Sequence, residues 1–143
     1  MQTVTRSLFP GKFLCLLGHI AMIIVIYFVK EDNIFAGIPY SAIKDDSDYD
    51  EAKDSLVAAL SLSIILMLCE TIILLFGVTM QYAVVSIISI TFHSLGLVFL
   101  IWYFLLSWRY QVIWSIWVFT NLVPLSIELY ALIFFKTFVN AKN

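Results

Sequence analysis

Four apolar runs, each long enough to cross a bilayer, govern what this chain can fold into: Leu8 to Val29, Ser55 to Val78, Tyr82 to Leu106 and Val112 to Phe135. A hydrocarbon core about 30 Å thick needs about 20 apolar residues of helix at about 1.5 Å rise each. Composition agrees, with 62% hydrophobic and 16% aromatic residues and a mean hydropathy of +0.99, against roughly half apolar in a soluble domain. A membrane barrel would instead show alternating strands of about 10 residues, and none is present. The expectation is an all-α integral membrane protein, four transmembrane helices in a compact antiparallel bundle, with residues 1–143 forming a single domain.

The first run, with Arg6 and Lys12 before or within it, has the look of a signal peptide. It is too long for a typical h-region, and Ile34-Phe35-Ala36 is a poor cleavage site. Cys15 and Cys69 both fall inside spans and suggest neither a disulfide nor a metal set.

Eight of the ten acidic residues lie between Glu31 and Asp54, in a loop expected over residues 30–54. Its dense part carries Asp45, Asp46, Asp48, Asp50, Glu51 and Asp54, a solvated block that could dock a basic partner. Within the same loop, Phe35 to Tyr40 is apolar enough for the interface, and Gly37 and Pro39 break any helix there. The other connections, Thr79-Met80-Gln81 and Ser107 to Gln111, are short, so sequential helices are expected as antiparallel partners. With the termini in the cytoplasm, Arg6, Lys12, Lys136 and Lys142 balance Lys30, Lys44, Lys53 and Arg109, a tie under the positive-inside rule. The two cations at the start of the first span favour both termini inside. An aromatic cluster, Trp102, Tyr103, Trp108, Tyr110, Trp114 and Trp117, brackets the third connection as an interfacial belt, with Arg109 at headgroup level.

Helices in lipid associate through small residues that allow close approach and polar residues that hydrogen-bond. Each span carries such a seam. The first has Gly11, Cys15 and Gly18 beside His19; the second has Ser55, Ala59 and Ser63 leading to Glu70. The third has Ser86, Ser89, His93 and Gly96, and the fourth Trp117, Asn121, Pro124 and Glu128. Depth adds a constraint: the two histidines sit about 16 Å, and the two glutamates about 12 Å, from the same face at about 1.5 Å per residue. His19, Glu70, His93, Asn121 and Glu128 can therefore meet as one intramembrane polar cluster. A buried carboxylate in lipid faces the interior and finds partners, here His19, His93, Asn121 or Glu128.

Three chemical readings compete with a structural one. His19 and His93 could ligate a haem; the Glu and His set could relay protons or ions; a zinc site would need a tighter ligand cluster than any present. The favoured reading is a hydrogen-bonded core that holds helix register, with no catalytic group, cofactor or metal. Pro124 is expected to bend the fourth helix.

The segments FLCLLGH (Phe13 to His19), DNIFAGIP (Asp32 to Pro39), LVAALSLS (Leu56 to Ser63) followed by Glu70, GVTM (Gly77 to Met80), SIISITFH (Ser86 to His93) and IWVF with Pro124 and Glu128 occur in an order that resembles the transmembrane protein 107 family. The resemblance implies a non-enzymatic four-span protein of the ciliary transition zone with both termini cytoplasmic. It also implies partners among the membrane proteins of the Meckel syndrome and tectonic-like complex, with membrane lipid around it and neither nucleic acid nor a small-molecule substrate. The acidic block and the tail after Lys136 depart from the family pattern.

Overall fold

The structure is a computed structural model that describes residues 2–39, 46–76 and 83–140, with side chains over 8–39, 47–76 and 83–134. Its elements are α1 (Gln2–Phe28), α2 (Glu31–Gly37), α3 (Asp46–Leu75), α4 (Ala83–Leu105), α5 (Val112–Trp117), a π-helical turn (Val118–Leu122) and α6 (Val123–Asn140). Four stretches have spanning length and hydropathy: Leu8–Phe28, Ser47–Leu75, Ala83–Leu105 and Val112–Phe134. They overlap the four apolar runs, the second beginning at Ser47 rather than Ser55. No strand occurs among the described residues.

The inward face follows a heptad-like rhythm. α1 buries Lys12, Leu16, His19, Ile23 and Ile26, while α4 buries Ser86, Ser89, His93, Gly96, Leu100 and Tyr103. Steps of three and four residues keep one seam facing its neighbours when helices coil left-handedly around each other. The first and third spans lie parallel and make the most extensive contact. A Cβ on Gly11 would meet Ile90 at 3.8 Å and one on Gly18 would meet Leu97 at 3.4 Å, with Cys15 Sγ 3.2 Å from Ser94 Oγ between them. The small seam of the first span is thus the place where α4 docks.

Sequential neighbours are not all packing neighbours. Among the described residues, α1 packs on α3 and α4, and the fourth span packs on the same two, while α3 and α4 scarcely approach each other. The spans follow one another around the bundle as first, second, fourth, third, so the second and third spans lie across a diagonal, as do the first and fourth. The expectation that a short connection makes packing partners therefore holds for direction but not for adjacency. The second-to-third connection itself, residues 79–81, lies outside the described residues.

The acidic segment is largely helical, which corrects the loop expected over 30–54. Glu31–Gly37 forms α2, and α3 begins at Asp46, far ahead of Ser55. Two causes are visible. Acidic residues in the first turns favour a helix N-terminus, and Ala52 and Leu56 extend the buried stripe of α3 downward from Ala59. Asp48, Asp50, Glu51 and Asp54 remain on the exposed side of this extension; Asp45 and the side chain of Asp46 lie outside the described residues. α2 ends at Gly37 and Ile38 is extended, as the residue before a proline prefers.

α4 ends in a left-handed residue, Ser107, with φ 44°. Trp108 N–H bonds Tyr103 O at 3.2 Å and Ser107 N–H bonds Phe104 O at 3.4 Å, the paired closure of a Schellman cap. Asn33, 2% exposed, locks this turn: its Nδ2 donates to Tyr103 O at 3.1 Å and Trp108 O at 2.8 Å. The Tyr110 N–H returns a bond to Asn33 O at 3.1 Å. A Cβ on Gly37 would run into the Tyr110 ring, so only glycine lets α2 lie against the turn.

Candidate functional site

The buried interior divides by depth. Toward the face shared by α2 and the turn at Ser107 it is apolar, built from Ile23, Ile26, Leu56, Ala59, Leu60, Leu100, Ile113 and Ile116. Toward the face shared by the two termini it holds Lys12, His19, Glu70, Ser86, Ser89, His93, Thr120, Asn121 and Glu128, all buried. Polar groups dominate one half of the membrane depth and hydrocarbon the other.

Two buried pairs organise the polar half. His93 Nε2 and Glu70 Oε2 are 2.6 Å apart with both side chains 0% exposed. Lys12 Nζ donates to Glu128 Oε1, again with both side chains fully buried. The first pair joins α3 to α4 and the second joins α1 to α6, so each ties one diagonal of the bundle. A charge in the bilayer centre costs roughly 2.5–3.5 kcal/mol on insertion scales, and mutual pairing offsets that cost.

His19 sits against His93, ring centroids 5.6 Å apart at 76°. The rings are edge to face and His93 Nε2 is engaged by Glu70, an arrangement with no slot for a porphyrin between them. Among the described residues, no group of three or more His, Cys, Asp or Glu side chains could hold a metal ion.

Gly96 is the closest crossing in the core: a Cβ there would lie 2.5 Å from His19 Cε1, 2.6 Å from Thr120 Cγ2 and 2.8 Å from Thr120 Cβ. Three spans meet at that point. The π turn supplies the third of them. Pro124 has no N–H and its ring would crowd the carbonyl four residues back, and the chain answers with a widened turn over Val118–Leu122 in which Thr120 and Asn121 are both buried. Asn121 Nδ2 donates to Thr120 Oγ1 at 3.2 Å and Thr120 Oγ1 to Ile116 O at 2.8 Å. Pro124, itself buried, is accommodated by one wide turn.

The remaining seam residues fall as follows. Ser63 Oγ donates to Ala59 O at 2.9 Å within α3, Trp114 Nε1 reaches Ser55 Oγ at 3.1 Å, and Gly18, Ser86, Ser89 and Gly96 all lie on the faces of α1 and α4 that meet neighbours. Asn121 bonds Thr120 rather than Glu70.

Two groups sit differently from the sequence expectation. Lys12, expected among the cytoplasmic cations at the start of the first span, lies well inside the helix on the core face, because α1 begins at Gln2. Its removal from the charge tally leaves Arg6, Lys136 and Lys142 against Lys30, Lys44, Lys53 and Arg109, so the tie becomes three against four and charge count runs against the expected orientation. A signal existed in the sequence: Lys12 precedes His19 by seven residues, two turns on the same face. Tyr103 was placed in the interfacial belt but is 0% exposed and belongs to the core, whereas Trp102 is 50% exposed.

Several polar atoms in this half have no protein partner among the described residues: both His19 ring nitrogens, Glu70 Oε1, Ser89 Oγ, His93 Nδ1, Trp117 Nε1, Asn121 Oδ1 and Glu128 Oε2. A buried polar group left unmet costs about 1–3 kcal/mol.

Comparison with known proteins gives a consistent result. The family model TMEM107, described as a transmembrane protein, matches residues 8–132. A Homo sapiens protein named transmembrane protein 107 is 33% identical over 123 residues, 86% of this chain and 86% of its own. Proteins of the same name from Rattus norvegicus and Danio rerio are 31% and 28% identical, covering 82% and 92% of this chain and 83% and 96% of theirs. No solved structure matches.

Proposed function

The chain belongs to the transmembrane protein 107 family, and on that premise we propose that it is a non-enzymatic membrane scaffold of the ciliary transition zone. In this role it supports cilium assembly and the control of ciliary membrane composition through lateral contacts with membrane proteins of the Meckel syndrome and tectonic-like complex. Both termini face the cytoplasm. The acidic residues on the exposed side of the α3 extension, Asp48, Asp50, Glu51 and Asp54, offer a docking surface for a basic partner segment.

The observation that carries a scaffold reading is where the ionisable groups point. Lys12, Glu70, His93 and Glu128 bond across the two diagonals of the bundle, which uses them to hold four spans in register. The apolar layer of Ile23, Leu60, Leu100 and Ile116 closes the other half of the membrane depth. That layer weighs against the alternative of a small proton- or ion-coupled transporter, which needs polar access from both faces.

A tagged copy expressed at native level in a ciliated cell tests the proposal. A ring or punctum at the ciliary base, with loss of tectonic-like partners from that site on deletion, is the expected result; a signal spread over vesicles or reticulum refutes it. Glu70→Gln separates the alternatives, since a transporter would keep its localisation and lose a pH-dependent flux. An acceptor site for N-glycosylation engineered between α2 and α3 is expected to be modified, and its staying unmodified would reverse the orientation.

A further inference from the structure

We propose that the half of the bundle nearest the termini encloses a hydrated chamber, a binding site for a few ordered water molecules among His19, Glu70, Ser89, His93, Asn121 and Glu128. The argument begins with valence. Every one of these six side chains is at most 2% exposed, and each carries a donor or acceptor atom that no protein group meets. Neighbouring pairs do not exhaust them: Glu70 and Glu128 each bond through one oxygen and present the other, and His93 bonds through Nε2 and presents Nδ1. His19 presents both nitrogens, one a donor and one an acceptor when the ring is neutral.

Left dry, this many unmet groups would together cost an amount comparable to the net stability of a typical domain. The occupant that removes the cost must be small, must donate as well as accept, and must meet groups from four different helices. Water does all three: a buried molecule makes about three hydrogen bonds, so a few suffice for the set. A metal ion does not fit, because no three of the ligating side chains converge among the described residues.

The chamber has a floor. Gly96, His19 and Thr120 close on one another at van der Waals range, and beyond them the interior is lined by Ile23, Leu60, Leu100 and Ile116, where the hydroxyl of buried Tyr103, also without a partner among the described residues, stands by itself among apolar side chains. Water therefore occupies one half of the membrane depth and does not cross it. The site is a local solvent for the two diagonal pairs, not a pathway.

The sequence contains two histidines, which makes the test direct. The full chain, labelled with 15N and 13C at histidine and at isoleucine δ1 methyls, is placed in bilayers of lipid with deuterated acyl chains, and magnetisation transferred from water protons is followed by solid-state NMR. Both imidazoles are expected to build up signal several-fold faster than the methyls of Ile23 and Ile116, which lie in the apolar layer and serve as the dry reference. Histidine build-up no faster than that of the methyls overturns the chamber. Transfer to His93 alone overturns its extent to His19, and transfer only from residual headgroup protons shows a lipid in place of water.

Discussion

Glu128→Gln is the most informative single change, because it removes the charge of one partner while keeping its shape. Lys12 would then be a fully buried ammonium with no carboxylate. Breaking a buried pair by removing one partner costs about 3–5 kcal/mol, most of it the uncompensated charge left behind. At about 1.4 kcal/mol per factor of ten, the folding equilibrium constant falls more than a hundredfold. Lys12→Met with Glu128→Leu removes both charges together and is expected to land within about 1 kcal/mol of the parent, or above it, since apolar replacements of buried pairs are often neutral or stabilising. Lys12→Met alone is expected to fall between the two. Reversible unfolding in bicelles, run as a double-mutant cycle, measures all four states. The reasoning fails if Glu128→Gln changes stability by less than about 0.5 kcal/mol, or if the two single losses simply add in the double variant.

Gly96→Ala should destabilise by about 1–3 kcal/mol through overpacking against His19 and Thr120, while Gly18→Ala, whose Cβ meets Leu97 at ordinary contact distance, should stay within about 0.5 kcal/mol of the parent; thermal unfolding in detergent compares them. Ser107→Gly should raise stability by about 1 kcal/mol, since a residue at φ 44° carries a Cβ penalty that glycine lacks, and an unchanged midpoint would count against the cap. Asn33→Ala removes two hydrogen bonds to the Tyr103 and Trp108 carbonyls, at about 1–3 kcal/mol for the groups left unmet. Faster hydrogen exchange at the Tyr110 amide is the local readout.

How much of this was legible beforehand depends on what each feature requires. Spanning helices follow from length and hydropathy, and the meeting of His19, Glu70 and His93 follows from depth along helices of known rise. Lys12 escaped because a cation near the start of an apolar run reads as a flank, and only the longer α1 places it inside. The diagonal placement of α3 and α4 was not legible, because a heptad pattern says which face turns inward but not which helix stands opposite. The α3 extension was hidden by its charges: Ala52 and Leu56 continue the buried stripe, but seven-residue spacing is hard to see through a run of aspartates. Asn33 looked like one polar residue of a loop motif, and its role depends on carbonyls 70 and 75 positions away.

The pairing of Lys12 with Glu128 also sets an order on biosynthesis. The two residues are separated by 116 positions, so at about 5–20 residues per second the ribosome needs about 6 to 23 seconds to make the partner after the lysine. During that interval the first span must wait at the insertion machinery or sit in lipid with an unneutralised ammonium, whereas Glu70 waits only 23 positions for His93. Full neutralisation of the first helix is thereby linked to completion of the last, and a chain truncated before Glu128 would leave Lys12 without its partner.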